Sequence, residues 1–140
     1  MKQIEETVGY QIVQLCKTHR YHTEEALSKL GIHIGQEMIL LQLWIKEGLT
    51  QSRIGERMQA EPSTITNMLH RLERSGFVER RQDPNDGRAS LIYLTESGRA
   101  LEQSVLQVWK EVEERTVSGL TIEEKLLLRR LLMHVYNNWE

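Results

Sequence analysis

The sequence contains one cysteine, Cys16, and only 2 prolines and 9 glycines in 140 residues. A single cysteine cannot form a disulfide within the chain, and the low glycine and proline content excludes a loop-rich scaffold held by disulfides. No apolar run approaches the roughly 18 residues that cross a bilayer, and no charged and then apolar leader follows Met1. We therefore expect a cytoplasmic protein of one domain with an ordinary hydrophobic core.

The chain also lacks a strong charge of either sign, since its formal net charge is −2. The charge is unevenly distributed, because residues 49–92 hold seven basic and six acidic side chains and no lysine. All seven basic residues are arginines, namely Arg53, Arg57, Arg71, Arg74, Arg80, Arg81 and Arg88. Arginine can donate two hydrogen bonds at once to phosphate or to a guanine edge, so this bias suggests nucleic-acid binding.

The spacing of apolar residues predicts a mainly helical chain. A long first helix is expected over residues 4–30, and a second, apolar nearly all round, over residues 36–46. A short third helix begins after the N-cap candidate Thr50 and ends near residue 59. Two long helices over residues 95–117 and 121–139 close the chain, and the second opens with a capping box of Thr121 and Glu124.

A fourth helix begins at Pro62, which suits a first helical position, and ends before Gly76. The residues at core spacing on one face are Ile65, Met68, Leu69 and Leu72. The opposite face carries hydrogen-bonding side chains, several of them short, which are Ser63, Thr64, Thr66, Asn67, His70 and Arg71. Such a face lets the helix backbone approach a polar partner closely.

Two β-type runs, residues 77–81 and 90–94, flank a segment rich in turn-forming residues and predict a hairpin with a polar tip. Arg80 and Arg81 are neighbours in the first run. Because side chains alternate across a strand, only one of them can face a given ligand, and the sequence leaves open which one.

The order of these elements resembles the multiple antibiotic resistance regulator (MarR) family of winged helix-turn-helix proteins. The resemblance covers nearly the whole chain and rests on residues 49–52 (LTQS), 62–73 (PSTITNMLHRLE), 76–80 (GFVER), 83–88 (DPNDGR) and 91–95 (LIYLT). Its most specific parts are Asp86-x-Arg88 in the wing and Leu94-Thr95 at the wing's exit.

The resemblance implies a mainly α fold with a small β-hairpin wing, in one domain over residues 1–140. Residues 35–95 would form the DNA-binding part, and residues 1–34 and 96–140 the dimerisation helices. The implied function is that of a homodimeric, sequence-specific transcriptional regulator, usually a repressor, that a small-molecule effector releases from a pseudo-palindromic operator. The residues also favour a dimer, because the terminal helices offer more apolar surface than the motif between them can cover.

The expected contacts to double-stranded DNA come from the third helix, the fourth helix and the wing. They are Ser52, Ser63, Thr64, Thr66, Asn67, Arg71, Asp86 and Arg88. Side chains near the start of the fourth helix would touch base edges or flanking phosphates, and Asn67 could pair with adenine through two hydrogen bonds. Arg71 is expected to bind phosphate. Arg88 is expected in the minor groove, with its guanidinium oriented by the Asp86 carboxylate.

The resemblance also implies an effector pocket for a small aromatic or phenolic compound, which His19, His22 and His33 could line. Two alternatives, in which the protein senses a metal ion or a peroxide, involve residues of the first helix. Zinc could bind Cys16, His19 and His22, with His33 and Glu37 nearby, although their spacing is poor for a single site. A peroxide-sensing branch of the family uses a cysteine in its first helix, but that position falls near Gly9 here, so Cys16 is expected to be buried and inert.

No motif for nucleophilic, metal-dependent or nucleotide-dependent catalysis is present, so we expect neither an enzyme nor a cofactor. The remaining alternative is a winged helix that binds protein without contacting DNA. Salt separates the two alternatives, because the affinity of a DNA-binding protein for DNA falls steeply as the salt concentration rises. A protein-binding module would show no such salt-dependent affinity for DNA.

Overall fold

The computed structural model describes residues 3–140; Met1 and Lys2, which belong to the predicted dimerisation segment 1–34, lie outside the described residues. A short 3₁₀ helix, Ile4–Glu6, precedes the first long helix. The α-helices are α1 (Val8–Ser28), α2 (Gln36–Ile45), α3 (Gln51–Met58), α4 (Pro62–Arg74), α5 (Glu96–Ala100), α6 (Glu102–Thr116) and α7 (Ile122–Asn137). The strands are β1 (Leu49–Thr50), β2 (Val78–Gln82) and β3 (Ser90–Leu94).

The three strands form an antiparallel sheet in the order β1-β3-β2. The predicted hairpin is β2 with β3, in a register that pairs Val78 with Leu94 and Gln82 with Ser90. The additional strand β1 pairs Leu49 with Ile92, and it ends where α3 begins. The sheet therefore ties the wing to the start of the helix-turn-helix.

The core lies among α2, α3, α4 and the sheet. The side chains with almost no exposure are Leu27, Ile32, Ile39, Leu40, Leu43, Ile54, Ile65, Leu69, Leu72, Ile92 and Val105. The predicted inner face of α4 is confirmed, because Ile65, Leu69 and Leu72 are all buried. This packing fixes the rotation of α4 about its axis and leaves the opposite, polar face outside.

Local capping predictions are confirmed at three helices. The Thr50 side chain accepts a hydrogen bond from the Arg53 N–H at the start of α3, and Pro62 is the first residue of α4. At α7 the Thr121 and Glu124 side chains each accept from the other's backbone N–H. These contacts satisfy N–H groups that have no partner within a helix.

The single helix predicted over residues 95–117 is instead two helices, α5 and α6, that meet at Leu101. The indole N–H of Trp44 donates to the Gly98 carbonyl at 3.0 Å. In an uninterrupted helix that oxygen accepts from the N–H four residues later. The contact from α2 thus competes for a hydrogen bond at the junction, and it anchors α5 to the core.

The two ends of the chain form the outer layer. Helix α1 packs against α6, whereas α7 has no buried residue within the described chain. The predicted inner face of α7 is therefore uncovered, with exposed Leu128, Leu131 and Leu132 and a half-buried Val135. The helix ends at Asn137, so Trp139, which was predicted on the same face, lies beyond it and is exposed. Across residues 3–140, no helix is both long enough and apolar enough to cross a membrane.

Candidate nucleic-acid interface

The helix-turn-helix is formed by α3, a three-residue turn and α4. Gln59 at the end of α3 adopts a left-handed conformation with φ of 52°, which turns the chain toward Pro62. Ile54 of α3 and Ile65 of α4 are both buried between the two helices. Together, the turn and the buried pair hold α4 with its polar face outward.

The structure brings most of the predicted contact residues onto this outer surface. Ser63, Thr64, Asn67 and Arg71 are exposed along one side of α4, and Ser52 is exposed at the start of α3. A groove of about 500 Å³ runs between α3 and α4 beside Ser52 and Pro62. This side of the molecule therefore offers a helix with short polar side chains and space for a partner on its flank.

Thr66 differs from its neighbours on α4, because it is half-buried and faces α3. Its hydroxyl donates to the Pro62 carbonyl at 2.9 Å and accepts from the Gln51 side-chain amide at 2.5 Å. The hydroxyl proton is thus already used within the protein. Gln51, which no sequence motif singles out, is the residue that holds Thr66 in place.

The wing tip is a compact loop between β2 and β3. The Asp83 N–H donates to the Ala89 carbonyl, and the Ala89 N–H donates to the Asp86 carbonyl, both at 3.0 Å. The Asp86 carboxylate accepts from the backbone N–H of Arg88 at 3.1 Å. The prediction was an ion pair between the Asp86 carboxylate and the Arg88 guanidinium, and that ion pair is not formed within residues 3–140. Asp86 instead orients the backbone of Arg88. The Arg88 side chain is exposed.

Arg80 and Arg81 lie on opposite faces of β2. Arg80 shares its face with the buried Val78 and points toward α4, where its Nε lies 2.5 Å from a Glu73 carboxylate oxygen. Arg81 pairs with Glu79 at 2.6 Å, and its guanidinium lies 4.1 Å from the centre of the Tyr93 ring. The arginine directed at the helix-turn-helix is therefore Arg80.

The seven arginines of residues 49–92 differ in whether a carboxylate pairs with them. Within residues 3–140, three arginines of the segment form ion pairs, namely Arg53, Arg80 and Arg81. The four that form none in that part of the chain are Arg57, Arg71, Arg74 and Arg88. Arginines without a carboxylate partner are the ones able to bind phosphate without first breaking an internal contact.

The three predicted effector-pocket histidines do not come together. His19 and His22 line a groove of about 480 Å³ between α1 and α6. His33 instead lies at the loop before α2, where its Nδ1 is 2.6 Å from Glu24 Oε1. Hydrogen bonds from His33 and from the Ile34 N–H hold the pKa of Glu24 below its usual value. The loop conformation, which the sequence pattern does not specify, accounts for the separation.

The sensor alternatives receive no assembled site in the described residues. No group of three or more His, Cys, Asp or Glu side chains in residues 3–140 is arranged to hold a metal ion. Cys16 is exposed in the chain, so the prediction of a buried cysteine is wrong for the single chain. Its position on the outer side of α1 explains the exposure, because only Thr23 and Leu27 of that helix are buried.

Comparison with known proteins relates this arrangement to a family. The model of the MarR family matches residues 32–90. The organic hydroperoxide resistance transcriptional regulator of Bacillus subtilis is 34% identical over 110 residues, which cover 79% of this chain and 71% of that protein. The transcriptional repressor IacR of Pseudomonas putida is 30% identical over 132 residues, with 90% of this chain and 77% of the repressor covered.

Two solved structures similar to this chain contain DNA. A mutant MarR from E. coli complexed with operator DNA superposes with a TM-score of 0.83 at 28% identity, covering 96% of this chain and 99% of that one. The MepR–DNA complex of S. aureus gives a TM-score of 0.85 at 28% identity, covering 94% and 98%. The fold is thus shared over almost the full length, including the terminal helices.

Proposed function

Because the chain belongs to the MarR family of winged helix-turn-helix transcriptional regulators, we propose that it acts as a homodimeric repressor on a pseudo-palindromic operator. The chain is a DNA-binding regulator and not an enzyme. The observation that carries the proposal is the exposed polar face of α4, together with Arg71 and Arg74 of that helix, which form no ion pair within residues 3–140.

In this proposal α4 lies in the major groove of DNA. Ser63, Thr64 and Asn67 face the base edges or the phosphates beside them, since a major groove admits a helix whose side chains near its N-terminus reach the bases. Arg71 binds phosphate one turn further along. Arg88 at the wing tip enters the minor groove, where a narrow A-tract strengthens the negative potential. The DNA complexes of the E. coli and S. aureus proteins support DNA binding by this fold.

The homodimer is proposed from the uncovered apolar face of α7. A helix that exposes Leu128, Leu131 and Leu132 in one chain needs packing against another surface to persist in water. The exposed apolar side chains Val13 and Leu15 of α1 lie in the other terminal segment. A second copy of the chain would cover both segments at once, because a two-fold interface buries the same surface on each partner.

The groove between α1 and α6 is the proposed effector site. Its volume of about 480 Å³ suits a small molecule. It combines apolar Leu15 and Val112 with Arg115 and the two histidines, His19 and His22, and its other charged lining residues are Glu25, Lys29 and Glu111. An aromatic or phenolic acid matches that lining, because its ring can pack on the apolar side chains while its carboxylate meets Arg115. Binding between the terminal helices would change how the two halves of the dimer are held apart.

The test is a binding titration of the purified protein with DNA from upstream of its own gene, in excess unrelated DNA and at several salt concentrations. We expect tight binding that resists the competitor and weakens steeply with salt. Salicylate, added as the first aromatic acid, should release the DNA from wild-type protein and not from an Arg115→Ala variant. An absence of binding to any DNA, at low salt as well, would exclude the regulator function and favour a protein-interaction module.

A further inference from the structure

A continuous series of hydrogen bonds connects the wing to the polar face of α4. Arg80 of β2 contacts Glu73 of α4 at 2.5 Å and donates through Nη2 to the Gln51 side-chain oxygen at 3.1 Å. The amide of the same Gln51 donates to the Thr66 hydroxyl at 2.5 Å. One arginine therefore joins the wing, the first residue of α3 and the middle of α4.

This arrangement makes Arg80 poorly suited to contact DNA itself. Its side chain is 30% exposed, against 54% for Arg81 on the opposite face of the strand. The charge of Arg80 is also already matched by the Glu73 carboxylate. A guanidinium that gave up these contacts to bind phosphate would leave the Glu73 carboxylate and the Gln51 side-chain oxygen without Arg80 as a donor. This loss costs free energy, because the groups are partly desolvated.

The link from Arg80 adds a side-chain restraint beyond a turn that backbone bonds already hold. The chain leaves α4 at Arg74 and enters β2 at Val78, and the Gly76 and Phe77 N–H groups donate to the Glu73 and Leu72 carbonyls. These bonds hold the turn itself, whereas Arg80 lies further along β2 toward the wing tip. A protein that uses a helix in the major groove and a wing tip in the minor groove must hold the two at a fixed angle. A small error in the position of the wing relative to α4 would lower the affinity for DNA, because both elements could not reach their grooves at once.

We propose that Arg80 is a positioning residue for sequence recognition: it fixes the wing against α4 through Glu73 and Gln51, and through Gln51 it fixes the Thr66 side chain. It makes no phosphate contact. This inference rests on the proposed DNA-binding function, but it concerns a residue to which that function assigns no role. It explains why Arg80, on the side of β2 that faces α4, is paired with a residue of that helix while Arg88 at the tip has no ion-pair partner within residues 3–140.

Positioning and phosphate binding predict opposite effects for Glu73→Gln. If Arg80 positions the wing, Glu73→Gln and Arg80→Met both weaken the link, and the double variant is no worse than Arg80→Met alone, because the two residues act on one contact. If Arg80 binds phosphate, Glu73→Gln frees the guanidinium and strengthens DNA binding. The two roles are therefore separable by the sign of one substitution.

The probes are the duplex that the wild-type protein selects from a random-sequence pool and a scrambled duplex of the same length and composition. For Arg80→Met and for Glu73→Gln we expect about a tenfold loss in the ratio of affinities for the two duplexes, with little change on scrambled DNA. The salt slope of binding should stay at the wild-type value. The loss of a phosphate contact would lower it by about 0.9 per contact, or about 1.8 for a symmetric dimer.

Lys110→Met, which removes one exposed positive charge on α6, is the matched control and should preserve the ratio. If Arg80→Met fails to fold, as judged by its thermal unfolding, Gln51→Leu breaks the same link from α3 and should lower the ratio in the same way. An unchanged ratio in the folded variants, or a salt slope reduced by the Arg80 substitution, would overturn the positioning role. A wild-type protein that selects no sequence would overturn the proposed function, which is a different result.

Discussion

The backbone of Arg88 is held in place by a hydrogen bond, whereas its side chain is left available to bind a ligand. Asp86 fixes the Arg88 backbone at 3.1 Å, and the guanidinium has no ion-pair partner within residues 3–140. The loop is thus ordered by backbone contacts, while the charge at its tip stays available. An arginine presented in this way loses little internal stabilisation when it enters a minor groove.

Replacing Arg88 with alanine should weaken operator binding by about tenfold or more, because a guanidinium in a narrow minor groove interacts with a strong negative potential. The dimer should stay intact, since the wing tip lies outside the terminal helices. Fluorescence anisotropy with the selected duplex at near-physiological salt measures the first effect, and size-exclusion chromatography with light scattering measures the second. Operator affinity equal to that of wild type would remove Arg88 from the DNA site.

Individual site residues were predictable from the sequence where a local pattern determines exposure. Ser63, Asn67 and Arg71 are exposed because the apolar face of α4 fixes the rotation of the helix. That face can be recognised from the spacing of apolar residues in the sequence. The role of Thr66 was not predictable in this way. Its hydroxyl is held by Gln51, which lies 15 residues away, and this partner becomes visible only when α3 and α4 pack together.

Glu37 is a second residue whose behaviour depends on its surroundings. It is 3% exposed, and its Oε2 has no hydrogen-bond partner within residues 3–140. Burial raises the pKa of this carboxyl, and hydrogen bonds from the Glu37 and Gly35 backbone N–H groups only partly offset the effect. A carboxyl with a raised pKa in the folded state stabilises the fold least when it is ionised.

We expect Glu37→Gln to be more stable than wild type at pH 7, by an amount on the order of 1 kcal/mol. The stabilisation that Glu37 contributes to the free energy of unfolding is fully present below the pKa of the unfolded carboxyl, which is about 4.3. This stabilisation is lost as pH rises through the higher pKa of the folded state. The advantage of the variant should therefore shrink toward zero near pH 4. Urea unfolding at pH 4 and pH 7, at one fixed protomer concentration, gives the two values.

Glu24→Gln provides the opposite control, because hydrogen bonds from His33 and Ile34 lower the pKa of Glu24. The stability from Glu24 is present above the unfolded pKa and is lost as pH falls through the lower pKa of the folded state. This variant should thus be less stable than wild type at pH 7, and the deficit should narrow in acid. If Glu37→Gln is no more stable than wild type at pH 7, the buried carboxylate carries no net cost.

Helix α7 has an apolar face that is exposed to solvent in the single chain. It has a well-formed start, with the capping box of Thr121 and Glu124, and an apolar face. Yet Leu131 is 45% exposed and Leu132 is 47% exposed. The helix is capped but not packed within residues 3–140, and in the proposed homodimer the second copy of the chain supplies the packing.

Introducing a charge on this face should break the dimer. For Leu131→Asp we expect dissociation to monomers at micromolar concentration, because a carboxylate would be buried without a partner in the interface. Sedimentation equilibrium measures the association, and Arg130→Asp, on the side of α7 opposite to Leu128 and Leu132, is the matched control that should remain dimeric. A Leu131→Asp protein as strongly dimeric as wild type would place the interface elsewhere.

The elements themselves were largely predictable, since helices depend on local spacing and capping. The starts of α3, α4 and α7 follow from Thr50, Pro62 and Thr121. What the sequence did not indicate depends on distant contacts. Strand β1 is two residues long and exists because Leu49 pairs with Ile92, and the break between α5 and α6 coincides with a bond from Trp44 to Gly98.

For the whole molecule, the proposed two-fold symmetry makes a geometric demand on the DNA. Two α4 helices related by a dyad reach successive major grooves on one side of the duplex only if their half-sites lie about 10–10.5 base pairs apart, or roughly 34–36 Å. The arrangement is rigid to the extent that the terminal helices and the link from Arg80 to Glu73 are rigid. A dimer held in this way has little freedom to follow a displaced half-site.

Inserting five base pairs at the centre of the selected operator should therefore reduce binding to the level of a single half-site. The insertion rotates one half-site by roughly half a turn and moves it away, so that only one α4 can be seated. A duplex with five substituted central base pairs, at unchanged length, controls for the altered sequence and should retain most of the affinity. Equal binding to the inserted and original duplexes would mean that the two α4 helices are not held at a fixed distance, and the symmetric dimer would then not be the unit that recognises DNA.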